Sequence, residues 1–468
     1  MENILPIALF SLIYSFRGCF DKQSTFDNAI ILFIGCLLTI GDHTVSNFIR
    51  ASGKLASKHY SSYHGFLSRS HYSQISLTRQ LLQLIDSFIP PGVIQLAVDE
   101  SLVRRWGPMV YGKGMHRDPV LSSQNVNINQ PGHKWVILSV LFDLPFSKQV
   151  FALPFLCILY YPEEAAKRND ASVNKRMREK RPKHRTPIQI VTFMIRWVER
   201  WLPHRQFHLL GDGGYSAQNL AYELSEDNQF RSPRTRLITR LPLDAAIYQR
   251  PEKSTTPKVG RPRVKGERLL SPQQNADDPN AQWTTIDVKW YAGKIVKRKI
   301  IINEGLWYRS GRPPVWIKWV FSRDPEGQRK DECFMTTDIA LSGKEILEKY
   351  VTRWPAETMH QQIREHLGLE TQKNWCENSI ERCIPLLCGV YTLIILWGAK
   401  VKETLKEKGS VKAAPWYDRK DLCFGDILAH LRNEVLTHEG FQTAWVGEPV
   451  DKNPMAHIQF LIHRLAYG

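Results

Sequence analysis

The order of short apolar segments after Pro90-Pro91-Gly92 constrains the fold of this chain more than any other feature. Apolar and β-branched runs predict three successive strands. They lie at residues 93–98, 134–142 and 149–156. Elements of alternating type follow: a helix at 187–202, a strand at 207–210, a helix at 216–224 and a strand at 236–241. Three strands in a row followed by alternating elements predict a mixed α/β sheet with helices on both faces.

This pattern is interrupted once, by residues 242–335. The interruption begins with a loop rich in Pro, Lys and Gly and continues as three strand-like runs at 283–290, 294–303 and 315–322. A helix near 343–367 then resumes the core. We therefore predict five regions. They are a helical region at 1–90, a first core part at 91–241, a β-rich insertion at 242–335, a second core part at 336–398, and a helical C-terminal region at 399–468 with helices at 425–436 and 456–465.

The N-terminal region contains predicted helices at 26–40, 44–51 and 76–88. A helix, a turn with Gly41 and a short helix that exposes Ser46, Asn47 and Arg50 are consistent with a helix-turn-helix. An ordinary helical bundle with a solvated face explains the same pattern equally well.

The formal net charge of +17 points to a polyanionic partner. The longest apolar stretches, at 4–16, 29–40 and 385–398, are shorter than the roughly 20 residues that a membrane-spanning helix needs. They are interpreted as buried helices, so nucleic acid is favoured over a membrane. The eight cysteines form no C-x-x-C pair, which is typical of reduced thiols in a cytoplasmic protein.

Two acids are predicted at the carboxyl ends of strands, where functional groups of open α/β sheets usually lie. Asp99 follows the first strand, and Asp212 follows the fourth within a Gly-Asp-Gly-Gly turn. Either acid alone could be a solvated structural residue. Glycines around Asp212 favour function, because they allow close approach of a substrate.

A third set of polar residues shares one face of the helix near 343–367. With a period of 3.6 residues, Tyr350, Arg353, Glu357 and Arg364 fall within about 60° of each other. Such a stripe could bind phosphates and a metal, or it could be a solvated ion-pair face. Pro355 is expected to kink the helix or to begin a new one.

Three carboxylates on separate elements beside cations are suited to two-metal phosphoryl transfer. We therefore expect Asp99, Asp212 and Glu357 to bind two Mg²⁺ ions, for which Mn²⁺ can substitute. Asp99 is best placed to contact both ions. Glu365 and Glu370 are rival acids, but Glu365 points away from the shared face.

These residues resemble the catalytic set of a DDE transposase from a bacterial insertion sequence, which has an RNase H-like core. Residues 350–357 (YVTRWPAE) with Arg364 resemble the Y-x2-R-x3-E-x6-K signature of one class, except that Arg364 stands where Lys is usual. In that class a β-rich insertion also precedes the Glu-bearing helix. The likeness covers roughly residues 90–400.

The resemblance implies metal-dependent cut-and-paste transposition by a homodimer on double-stranded DNA. Hydrolysis at the terminal inverted repeats would release 3′-OH ends, which attack target DNA, in some members through a hairpin intermediate. Tyr350, Arg353 and Arg364 would contact DNA near the cut. In a prokaryotic cytoplasm the bound protein would be associated with the nucleoid.

Several residues of the insertion and its surroundings are candidate DNA contacts. Trp307, Trp316 or Trp319 could stack on an extruded base, or each could pack the insertion. Gly260-Arg261-Pro262-Arg263 resembles a minor-groove AT-hook core, and residues 167–185 are strongly basic. Two alternative functions stay open: a catalytically silent DNA-binding protein derived from a transposase, and an RNase H-like nuclease without strand transfer.

Overall fold

The computed structural model describes residues 3–447 except 124, 145–148, 164–183, 253–262 and 409–420, together with Lys452, Pro454, Met455 and Ile458. The predicted helix at 456–465 apart from Ile458, most of the basic stretch at 167–185, and Arg261 therefore lie outside the described residues. Within this range the molecule is a mixed α/β protein with helices at both ends of the chain, as the sequence predicts.

In the described part of the chain, a sheet of eleven strands forms the centre of the molecule. Its strands are β1 (Val93–Arg104), β2 (Gly114–Arg117), β3 (Asn129–Asp143), β4 (Val150–Tyr160), β5 (Gln206–Leu210), β6 (Thr235–Arg240), β7 (Ile247–Tyr248), β8 (Thr284–Lys289), β9 (Ile295–Trp307), β10 (Val315–Arg323) and β11 (Glu332–Thr336). In the predicted core, β4 pairs with β3 and β3 with β1 antiparallel, whereas β1, β5 and β6 run parallel. This mixed sheet is compatible with the expected RNase H-like core.

The strands of the predicted insertion extend the same sheet and do not form a separate one. β11 pairs with β6, and β10, β9 and β7 follow outward in that order. The strand β11 went unpredicted because its five residues, ECFMT, show little alternation. It is nevertheless the strand that joins the insertion to the core.

The helices surround this sheet. They are α1 (Ile7–Tyr14), α2 (Gln23–Leu38), α3 (Val45–Ser52), α4 (Tyr60–Ser68), α5 (Gln74–Asp86), α6 (Pro187–Trp201), α7 (Gln218–Glu223), α8 (Pro272–Asp277), α9 (Gly343–Val351), α10 (Pro355–Leu367), α11 (Glu377–Lys400), α12 (Lys402–Lys408), α13 (Phe424–Thr437) and α14 (Glu439–Val446). The N-terminal helices, the sheet, α11 and α13 share one apolar core. A second apolar cluster lies between α9 and strands β6, β8, β10 and β11.

One sequence prediction about the elements that carry the acids needs correction, and the alternative left open at Pro355, a kink or a new helix, is decided in favour of a new helix. The strand β1 does not end at Asp99 but continues to Arg104, because β3 still pairs with it after the parallel partner β5 has ended. The single helix predicted near 343–367 is two helices, α9 and α10. Pro355 is the first residue of α10, a position where its missing N–H costs no hydrogen bond.

Helix α11 is long and apolar enough to cross a membrane, judged by length and composition alone. However, 72% of its apolar window is buried inside the protein. It packs against β4, α4 and α13. This burial is typical of the core helix of a soluble protein and fits the sequence interpretation of residues 385–398.

The close crossing of α2 and α3 depends on Gly35. A Cβ atom at this position would lie 2.3 Å from the carbonyl oxygen of Phe48, so the backbones cannot keep their spacing. We expect Gly35→Ala to lower the free energy of unfolding by about 1–3 kcal/mol in urea titrations. Gly18→Ala is the control, since its Cβ would meet no atom within 4 Å. Equal stability of the two variants would contradict the α2–α3 packing.

Candidate active site

Asp99 and Asp212 lie on neighbouring parallel strands. Asp99 is within β1, and Asp212 comes two residues after the end of β5. The Asp212 carboxylate accepts a hydrogen bond from the Gly214 N–H at 2.9 Å, and its main-chain carbonyl accepts one from Thr239 Oγ1 at 2.7 Å. These bonds fix the turn that follows β5.

The turn around Asp212 requires glycine at position 211. A Cβ atom there would lie 2.7 Å from the Cβ atom of Tyr215. At position 211, glycine therefore allows the close approach of Tyr215, a residue of the protein itself. Tyr215, buried beneath the turn, lies near Glu100, Asp99 and Asp212.

Glu357 is in the first turn of α10, directly after the break between α9 and α10. Its carboxylate accepts a hydrogen bond from Arg353 Nη2 at 2.6 Å. Arg353, in the break itself, has a side chain that is only 10% exposed, whereas that of Glu357 is 37% exposed. The break therefore places the buried guanidinium of Arg353 beside the accessible carboxylate of Glu357.

The pKa of Asp99 depends on the charges of the other two predicted acids. Burial above all, with smaller contributions from the charges of Asp212 and Glu357, raises the pKa of its carboxyl to about 7. The Arg353 guanidinium and the Glu100 N–H, which donates to Asp99 Oδ1 at 2.8 Å, oppose this rise. Both other carboxylates are therefore close enough to Asp99 for their charges to act on it, and we call the three residues the acid cluster.

His360 is a neighbour of this cluster that the sequence analysis missed. Its Nε2 atom lies 3.8 Å from Asp99 Oδ2, and both ring nitrogens are buried without a hydrogen-bond partner in the described part of the chain. Burial and the charge of Arg364 lower the pKa of His360 to about 3, so the ring is neutral. Its spacing of three residues from Glu357, on the same helical face, was the available signal.

The four residues of the predicted polar stripe do not form one group in the structure, because they contact different partners. Tyr350 is buried against Phe334, and the guanidinium groups of Arg240 and Arg353 lie 5.8 and 5.9 Å from its ring centre. Arg364 is near His360 but forms an ion pair with Glu370 at 3.4 Å. The break at Pro355 separates Tyr350, on α9, from Glu357 and Arg364, on α10.

The two rival acids, Glu365 and Glu370, interact with other residues. Glu365 accepts a hydrogen bond from Gln361 at 2.7 Å on an exposed face of α10. Glu370 pairs with Arg104 and Arg364. Neither acid is among the groups that shift the pKa of Asp99. The geometry therefore favours Glu357 as the third acid.

Arg240 is a further cation near the acids that sequence reasoning missed. Its side chain is 50% exposed and pairs with Glu332. Its Cδ atom would be 3.9 Å from a Cβ atom at Gly213, in the turn that carries Asp212. As the last residue of a strand, it gave no periodic signal.

The candidate DNA contacts of the insertion differ in exposure. Trp307 and Trp319 are buried, which favours packing for both. Trp316 is half-buried: its Nε1 donates to Glu304 at 3.2 Å, and Arg250 lies 4.7 Å from its ring centre. Arg263 is exposed.

The donor atoms suit a hard divalent cation. Three carboxylates could supply oxygen ligands, and the raised pKa of Asp99 reflects burial first and the charges of Asp212 and Glu357 second, both of which such an ion would offset. Among the described residues, no group of three His, Cys, Asp or Glu side chains is arranged to hold an ion. The Glu357 carboxylate is bonded to Arg353 instead. Metal binding therefore requires a rearrangement of this pair.

A family model described as DDE superfamily endonuclease matches residues 15–298. This chain belongs to the DDE endonuclease superfamily. The matched range contains Asp99 and Asp212 and ends before Glu357. Comparison with curated proteins gives no match. The membership confirms the resemblance to DDE transposases at the level of the superfamily and supports a nuclease-type enzyme. The signature class and the bacterial insertion-sequence origin stay predictions.

Proposed function

We propose that this DDE endonuclease is a DNA transposase that cuts phosphodiester bonds at transposon ends and joins the 3′-OH ends to target DNA. The observation that supports the proposal is that Asp99 lies close enough to Asp212 and Glu357 for both charges to raise its pKa, in a chain of the DDE superfamily. The net charge of +17 suits a DNA partner.

In this proposal the three carboxylates hold divalent cations, Mg²⁺ or Mn²⁺. Two such ions, when bound, activate the attacking oxygen and stabilise the leaving oxygen of an in-line displacement. Asp99 must lose its proton before it can act as a ligand, because its pKa is about 7. Glu357 must be released from Arg353.

The cations beside the acids position the DNA. Arg353 and Arg240 flank the acids, and a guanidinium released from Glu357 can pair with a phosphate oxygen. Tyr350 is buried and supports both guanidinium groups through its ring face. Arg364, near His360, is a more distant phosphate contact. The active species is a homodimer that holds two DNA ends.

The products of the reaction test this function. Purified protein is incubated with Mg²⁺, a labelled duplex that carries the ends of the element, and a circular target duplex. We expect nicks or hairpins at the end and labelled strands joined to the target. Cleavage without joining would indicate a nuclease, and binding without cleavage would indicate a catalytically silent protein; either result contradicts the proposal.

A further inference from the structure

The β9–β10 turn and a neighbouring segment form a basic groove at the edge of the sheet. Its lining consists of residues 263–266, Tyr308 and residues 310–314, and its volume is about 830 Å³. The lining contains three cations, Arg263, Lys265 and Arg312, and no acid. We call this surface the turn groove.

Both walls of the turn groove are anchored to the sheet. The buried amide of Gln218, the first residue of α7, donates hydrogen bonds to the carbonyls of Trp307 and Pro313, both at 2.8 Å. These bonds connect the two ends of the turn. The segment on the other wall is bonded to the residue that follows β7, since the Gly266 N–H donates to the Gln249 carbonyl at 2.9 Å. The cations are therefore carried on a preformed surface.

No ion pair joins the cations of the turn groove to a carboxylate of the described residues. Among the described residues, Arg263, Arg309 and Arg312 are exposed and form no ion pair. Residues 253–262, which precede Arg263, contain no Asp or Glu. Lys265 lies over two aromatic rings, 3.9 Å from the ring centre of Tyr248 and 4.9 Å from that of Tyr308. Positive charge that no described carboxylate pairs with, on a concave surface, is suited to a polyanion.

The turn groove is too far from the acids to hold the scissile phosphate. The sheet order places β9 five strands from β1, which is about 24 Å along the sheet. Alternating strand directions also place the Trp307 end of β9 at the edge opposite the carboxyl end of β5. At 3.4 Å per base pair, the separation corresponds to about seven base pairs or more.

We propose that the turn groove binds the backbone of duplex DNA at a distance of about seven base pairs or more from the scissile phosphate. This inference rests on the proposed function only in taking DNA as the substrate. Arg263, Arg312 and Lys265 would contact phosphates, and such contacts position a duplex without reading its sequence.

The test is the salt dependence of binding to a duplex of about 30 base pairs, without divalent metal. The double variant Arg263→Ser/Arg312→Ser is expected to bind roughly tenfold more weakly, and the slope of log K against log salt should fall by about 1.8. The control, Lys402→Ser/Lys406→Ser, removes the same charge from α12 and should behave like the wild type. An unchanged slope in the double variant, or an equal loss in the control, would overturn the proposal.

A second measurement locates the contact. With end DNA that the protein cleaves, hydroxyl-radical protection lost in the double variant should lie about seven base pairs or more from the cut; loss at the cut itself would overturn the assignment. Absence of cleavage by the wild type would count against the proposed function alone, since the salt-dependence measurement needs no cleavage.

Discussion

Asp99→Asn, Asp212→Asn and Glu357→Gln are each expected to lower the rate of DNA cleavage by at least about 10³-fold. The physical reason is that each substitution keeps the shape of the side chain but removes one of three negative charges, and metal-assisted phosphoryl transfer depends on that charge. Cleavage is measured with end-labelled duplex DNA in Mg²⁺. Binding to the same DNA in the absence of metal should not weaken, because each variant carries one negative charge fewer.

Two control variants match these substitutions. Glu365→Gln makes the same change as Glu357→Gln on an exposed position of the same helix. Asp143→Asn makes the same change as Asp99→Asn at the exposed end of β3. Both should cleave DNA at the wild-type rate. If Glu357→Gln cleaved normally and a variant of another acid did not, the assignment of the third carboxylate would be wrong.

Asp99→Asn is also expected to stabilise the metal-free protein at neutral pH. The folded protein raises the pKa of Asp99 to about 7, mainly by burial, from an ordinary value of 3.8. Between about pH 4 and 7 the folded state therefore binds more protons than the unfolded state, so this group makes stability fall as pH rises. Asparagine removes the effect, and the variant should exceed the wild type by about 2–4 kcal/mol above pH 7.

Urea unfolding of both proteins from pH 4 to 8 measures this difference. The advantage of Asp99→Asn should be smallest near pH 4 and should grow until about pH 7. Saturating Mg²⁺ should stabilise the wild type but not the variant, since only the wild type retains the full set of ligands. A constant difference across the pH range would show that Asp99 does not carry a raised pKa.

Much of the fold was predictable because its signals are local. Alternating or continuous apolar runs gave β3, β4, β5 and β6 to within a few residues, and α6 begins at Pro187 as predicted. The acids were found because they follow such runs. The position of Glu357 was predictable from the stripe it shares with Arg353, which the structure retains as an ion pair.

The remaining features depend on contacts between distant segments. Nothing near Asp99 indicates that β1 continues, because its continuation depends on pairing with β3. The extension of the sheet depends on β11, whose partner β6 lies far away in the sequence. Burial of Trp319 and the proximity of His360 to Asp99 likewise arise only once the elements pack.

The central claim is that Asp99, Asp212 and Glu357 form one cation site, and Mn²⁺ binding tests it most directly. The ion can be titrated into metal-free protein at pH 8 and the free ion measured by electron paramagnetic resonance. We predict that the wild type and Glu365→Gln bind Mn²⁺ alike, whereas Asp99→Asn, Asp212→Asn and Glu357→Gln each bind at least about tenfold more weakly. Wild-type binding in all three of these variants would contradict the account.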